Sequence, residues 1–193
     1  MAEARKSIGA RRNPDSAEAI LEAAEAILSE AGPSGFSIEA VARRAHAGKP
    51  TIYRWWPSKT ALLLEVYHRQ KRAVAAPDTG GLAEDIYVFL RGLFANWRDT
   101  PAGGVFRSVI AEAQTDAAAA EALAAYSAGR RKATGEIFVR ARARGELGEH
   151  IDPEVAADMI VAYAWAHLLT GRLDDDEALR AAARLFAGGT RAK

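Results

Sequence analysis

The chain has 193 residues, 49% of them hydrophobic, with 26 basic and 25 acidic side chains for a net charge of +1; such a length holds one domain, or a small one joined to a larger one. Cysteine is absent, which excludes disulfide frameworks, thiol nucleophiles and Cys-based zinc sites and suits a reducing compartment. The longest apolar run, Met159 to Ala166, falls far short of the roughly 18 residues of a membrane span, so a cytoplasmic protein with no membrane partner is expected.

Alanine makes up nearly half of the hydrophobic residues; it favours helix but buries little surface, which points to an all-α fold. Residues 1–14 form a basic arm with Arg5, Lys6, Arg11 and Arg12, which could reach DNA beside a docked helix or remain a solvated tail. Asp15 and Glu18 have the spacing of a capping box, and Ile20, Ala24, Ile27, Leu28 and Ala31 recur at helical intervals up to Gly32, which predicts a helix over 15–31. Ser37 is the N-cap of a short second helix with the apolar face Ile38, Val41, Ala42 and Ala45, ending near His46, with Arg43 and Arg44 pointing away from that face. Gly48 and Pro50 open a third helix over 49–55, and Pro57 ends it, since proline is tolerated only in the first turn. Ser58 caps a fourth helix that runs through Leu62, Val66 and Arg69 toward 75, where Pro77 to Gly81 make the clearest break. Residues 15–75 are therefore read as one domain and 82–193 as a second.

Beyond the break the periodicity predicts helices over 82–98, 105–114, 117–144, 153–171 and 175–187, with Asp152 and Pro153 as a start signal and Gly145 and Gly188 as stops. No strand pattern and no internal repeat is found.

Charge supplies the functional clue. Residues 1–72 are net positive and residues 73–193 net negative; between Ala40 and Leu64 stand Arg43, Arg44, Lys49, Arg54 and Lys59 with no acidic residue, interleaved with Tyr53, Trp55 and Trp56. Such a patch suits a polyanion, with a solvated basic face as the alternative. Two short helices around a tight turn, the second opening with small and hydroxyl residues, meet the description of a helix-turn-helix whose second helix enters the major groove. Lys49 can donate to guanine O6 or N7, and Pro50 offers an apolar surface to a thymine methyl. The hydroxyls of Thr51 and Tyr53 suit phosphate oxygens, Arg54 lies on the following turn, and Lys59 sits where free backbone N–H groups of the fourth helix also attract phosphate.

The segment S-I-E-A-V-A-R-R-A-H-A-G-K-P-T-I-Y-R-W-W-P-S-K-T-A-L-L-L, residues 37–64, resembles the DNA-binding signature of TetR/AcrR transcriptional regulators. The resemblance implies an N-terminal three-helix domain with a helix-turn-helix, joined to a C-terminal helical bundle that dimerises. It places Thr51, Tyr53 and Lys59 on phosphate, Lys49 and Pro50 on bases, and Ser37 at a cap that touches the backbone. Trp56 falls where the family locks the third helix into the core, and Trp55 is placed toward the DNA backbone. One departure is His46, in a turn that usually carries glycine: it must adopt a positive φ or bend the turn differently. His46 is read as the C-terminal cap of the second helix, with a DNA contact or a pH sensor as the alternative.

In the second domain Phe89, Phe94, Trp97, Phe106, Tyr126, Phe138, Tyr163 and Trp165 could line a cavity between helices. A small apolar or aromatic ligand held by Phe89, Phe94, Trp97 and Tyr163, with Arg107 or His167 as polar anchor, is expected. The helix over 153–171 is apolar almost all round and therefore wants a partner on its second side; by resemblance that partner is a second copy, with Leu179, Ala182, Leu185 and Phe186 as a matching stripe. His46, His68, His150 and His167 show no i, i+4 metal spacing, and Asp174 to Glu177 are explained by a helix dipole, so neither an enzyme nor a cofactor is expected. The expectation is a homodimer that binds a palindromic double-stranded DNA operator as a repressor and releases it when a ligand binds. A helical partner-binding protein, or an activator without a small-molecule inducer, is the alternative.

Overall fold

A computed structural model describes residues 14–70 and 76–190, and among these every regular element is helical. The helices are α1 (Pro14–Ala31), α2 (Ile38–Arg44), α3 (Lys49–Trp55), α4 (Lys59–Gln70), α5 (Leu82–Asp99), α6 (Ala102–Glu112), α7 (Ala117–Ala143), α8 (Pro153–Thr170) and α9 (Asp176–Gly189), with a 3-10 turn at Pro33–Gly35. The basic residues of the arm, Arg5, Lys6, Arg11 and Arg12, lie outside the described residues.

Side chains close the orphan backbone donors at most of the expected starts. Ser37 accepts from the Ala40 N–H at 3.1 Å, Ser58 from Ala61 at 3.0 Å, Asp152 from Glu154 at 2.7 Å and Asp175 from Ala178 at 2.9 Å. Asp15 is an exception: it lies inside the first turn of α1 rather than before it. Nor does Gly188 stop α9, which runs on to Gly189 and is finished by the Thr190 hydroxyl donating to the Phe186 carbonyl at 3.0 Å. The start of α6 also falls earlier than periodicity suggests. The Thr100 hydroxyl oxygen accepts from the Ala102 N–H at 3.1 Å, and Gly103 packs so tightly on α5 that a Cβ there would lie 2.3 Å from the Trp97 carbonyl oxygen. Glycine at 103 thus sets the close approach of α5 and α6.

The core runs without interruption from Ile20 and Leu28 through Leu62 and Tyr67 to Phe106, Ile137 and Leu168. Helix α4 is the hinge piece of this packing, resting on α1 on one side and on α6 and α7 on the other. Between α4 and α5 the chain is pinned by Asp85, which is wholly buried and accepts from the Thr79 N–H (2.6 Å), the Thr79 hydroxyl (2.8 Å) and Arg144 (2.9 Å). A buried carboxylate persists only when its lone pairs are taken up in this way.

Candidate nucleic-acid interface and cavity

The turn between α2 and α3 is closed by a Schellman motif: the Ala47 N–H donates to the Ala42 carbonyl at 3.0 Å, the His46 N–H donates to Arg43, and His46 takes φ +50°. Of the two alternatives for His46, the structure takes the positive φ, at the steric cost a Cβ carries there. Ile52 is wholly buried and pins α3 onto α1 and α2, and Trp56 is buried behind it. With its inner face so fixed, α3 turns Lys49, Pro50, Tyr53 and Arg54 outward, with Thr51 half-exposed beside them. Trp55 is half-buried and stacks on Trp56 with ring centroids 6.0 Å apart.

Three of the five cations of this face hold carboxylates. Lys49 donates to Glu39, Arg44 makes a two-pronged pair with Glu30 at 2.5 and 2.7 Å, and Lys59 lies 3.0 Å from Glu112. These partners hold the Glu39 and Glu30 carboxyls below the usual carboxylate range. Arg43 and Arg54 are exposed and form no ion pair among the described residues. Exposed pairs are weakened by water and salt, so a phosphate can take the place of the carboxylate. Sequence reasoning missed these acidic partners because Glu39 and Glu112 are distant from their lysines in the chain; only the packing of α6 on α4 brings Glu112 to Lys59.

In the second domain lies a half-open cavity of two adjoining lobes, about 320 and 620 Å³, which share Phe89, Leu93, Arg130 and Thr134 as walls. The smaller lobe is faced by Tyr67, Trp97, Phe106, Tyr126 and Trp165. There the Trp97 Nε1–H donates to the Tyr67 hydroxyl at 2.8 Å, and the Tyr67 ring stacks on Phe106 at 4.9 Å. Burial pushes the Tyr67 phenol up to about 12 and raises that of Tyr126 as well.

Of the expected ligand contacts, Phe89 and Trp97 line this cavity. The remaining ones do not line it. Phe94 is buried between Trp97 and His167, and Tyr163 packs on His167 and Phe186, away from both lobes. The His167 Nδ1 is engaged with the Arg172 carbonyl at 2.8 Å, where α8 ends, and Arg107 is exposed on the far side of α6. Periodicity could place these residues on helices but not say which helix face looks into the void. Arg130, Thr134 and Asn96, which do line it, carried no signal in the sequence. Among the described residues no cluster of three His, Asp or Glu is placed to hold a metal ion, and no helix is long and apolar enough to cross a membrane.

A short cation-bearing helix held across a second one by a tight turn, on a larger helical bundle, defines a helix-turn-helix DNA-binding regulator. Residues 20–66 match the family model described as bacterial regulatory proteins, tetR family, and residues 76–185 match the one described as tetracyclin repressor-like, C-terminal domain. The chain belongs to the TetR family of transcriptional regulators. It is 30% identical over 175 residues to YdeS of Bacillus subtilis, an uncharacterized HTH-type transcriptional regulator, covering 89% of this chain and 88% of that one. It is also 30% identical to the DNA-binding transcriptional repressor TetR of Mycobacteroides abscessus, over 81% of this chain and 84% of the relative. The crystal structure of the TetR family transcription regulator SCO0332 superposes with a TM-score of 0.78 at 32% identity, covering 92% of this chain and all of the other.

Proposed function

We propose that the chain is a homodimeric repressor that reads a palindromic operator with α3 and lets go of it when a small molecule fills the two-lobed cavity. Residues 15–75 act as the DNA-binding domain and 82–193 as the ligand-binding and dimerisation domain. The observation that carries this reading is the course of α4. Its first turn bears Lys59 at the DNA face, and two turns on Tyr67 forms a wall of the cavity, about 12 Å away along a rigid helix. A ligand that pushes on the Tyr67 side chain therefore acts on the same helix that carries Lys59. Lys59 also has Glu112 of α6 as an alternative partner to phosphate, so a shift of α6 toward α4 favours the unbound state. The cavity can move the equilibrium only by the difference in its affinity for ligand between the DNA-bound and free forms.

On DNA, Lys49 and Pro50 read base edges, while Ser37, Thr51, Tyr53, Lys59 and the cations Arg43, Arg44 and Arg54 hold phosphates, with Trp55 against the backbone. The dimer forms through α8 and α9. Val155, Met159 and Leu169 on α8 and Leu185 on α9 are 58, 57, 54 and 76% exposed, large apolar side chains that a second copy would take out of water. Leu179 of the expected stripe is buried in its own chain, and Ala182 and Phe186 are half-buried, so Leu185 carries the contact on α9.

The test is a fluorescence-anisotropy titration on the DNA flanking the gene. With four phosphate-bound cations per protomer, eight per dimer, affinity falls about ten-thousandfold between 50 and 200 mM salt. Lys59→Ala weakens binding to every sequence, and Lys49→Ala relaxes preference at one base position of each half-site. A flat salt dependence, or equal loss on all sequences from both substitutions, refutes the assignment.

A further inference from the structure

The cavity carries an uneven set of polar groups. Thr134 is 2% exposed and its hydroxyl is buried with no hydrogen-bond partner among the described residues, although a helical threonine has a carbonyl one turn back to bond. The Asn96 Nδ2 is likewise buried and unbonded among the described residues. Both line the larger lobe, and Thr134 lines the smaller one too. One helical turn before Thr134 on α7 stands Arg130, which lines both lobes. Among the described residues Arg130 has neither a carboxylate partner nor a hydrogen bond; its charge acts on the phenols of Tyr67 and Tyr126.

The other charges of the lining cancel, because Arg131 is paired with Asp158 at 2.8 Å. Arg130 is thus the one uncommitted charge in the lining, with the buried polar groups of Thr134 and Asn96 in the same walls, and among the described residues the walls supply no uncommitted carboxylate. Buried donors left without acceptors cost free energy, and a ligand that supplies acceptors recovers it. A cationic ligand would meet Arg130 as a like charge, and a hydrocarbon would leave the guanidinium to water and the Thr134 and Asn96 donors unmet.

We infer that the effector is an aromatic carboxylate whose anionic end sits among Arg130, Thr134 and Asn96 and whose ring occupies the smaller lobe beside Trp97, Phe106 and Trp165. The inference rests on the cavity being the effector site, and it adds the charge and shape of the effector. Arg130 and Thr134, at i and i+4 on α7, share one helix face, so a carboxylate between them can accept from the guanidinium and the hydroxyl together. Volumes of about 320 and 620 Å³ are in the range of small-molecule sites.

The experiment titrates naphthoate and its neutral isostere naphthamide into the full-length protein and into the Arg130→Gln and Thr134→Val variants, by calorimetry and by quenching of tryptophan fluorescence. Arg130→Gln keeps the thermal transition of the parent, since Arg130 is half-exposed, and Thr134→Val keeps or raises it, since valine matches threonine in shape and removes the unbonded hydroxyl. In the parent, naphthoate binds about tenfold or more tightly than naphthamide. Arg130→Gln erases this preference while leaving naphthamide affinity unchanged, and Thr134→Val weakens naphthoate several-fold. Equal affinity for the two compounds, a preference that survives Arg130→Gln, or no binding of naphthoate up to its solubility limit overturns the inference. The release reading is tested apart from this. Naphthoate bound through Arg130 with operator affinity unchanged leaves the inference standing and removes release.

Discussion

Leu185 is the most exposed large apolar residue described, with 76% of its surface open to water in the single chain. Covering a leucine side chain completely is worth about 1.5–3 kcal/mol. In a two-fold dimer each residue acts twice, so Leu185→Ala is expected to weaken dimerisation by about 2–5 kcal/mol, roughly thirty- to several-thousandfold in Kd. Leu185→Asp adds an unpaired carboxylate to the covered surface and goes further in the same direction. Sedimentation velocity over a range of micromolar concentrations reads the outcome directly. The fold itself should persist, because Leu185 makes little contact within its own chain; Leu179, 3% exposed on the same helix, serves as the contrast, since Leu179→Ala lowers the melting temperature of the chain. Operator affinity should collapse with the dimer, for a monomer presents one recognition helix and loses the gain of engaging both half-sites at once. A Leu185→Asp protein that sediments as a dimer at every concentration and binds operator normally refutes the assignment of the interface to α8 and α9.

Replacing His46, at φ +50°, by glycine removes the steric cost of the left-handed conformation and restores freedom to the unfolded chain; the net expectation is a gain of about 0.5–1 kcal/mol in denaturant unfolding, with unchanged helix content. Asp85→Ala strips three hydrogen bonds from Thr79 and Arg144 and is expected to cost about 3 kcal/mol or more, read as a lower melting temperature. The buried Tyr67 phenol, raised to about 12 from an ordinary value of about 10, binds its proton more tightly when folded. Its contribution to stability is therefore whole below about pH 10 and lost as pH climbs from 10 toward 12. Tyrosinate absorbance during alkaline titrations of the parent and of Tyr67→Phe checks this: the difference between them should be a phenol that ionises at about 12 in the folded chain.

Helix positions were legible in the sequence because they depend on local chemistry. Ser37, Ser58, Asp152 and Asp175 cap backbone donors within three residues of themselves, Gly48 and Pro50 shape their own turn, and apolar residues at helical spacing need no distant information to mark a buried face. The same is true of the outward face of α3, since burying Ile52 forces Lys49, Tyr53 and Arg54 to the other side. What lies inside the second domain depends instead on how helices cross, and that is decided by contacts between residues far apart in the chain. Gly103 against the Trp97 carbonyl sets the approach of α5 and α6. Trp97 bonded to Tyr67 joins α5 to α4, and Glu112 reaches Lys59 across the α4–α6 contact. Aromatic residues with the same helical periodicity are thereby divided: Phe89 and Trp97 open on the cavity, whereas Phe94 and Tyr163 are committed to packing around His167. Arg130 and Thr134 become a binding pair only because tertiary packing leaves an unfilled space in front of one face of α7, and a sequence pattern encodes the face but not the void.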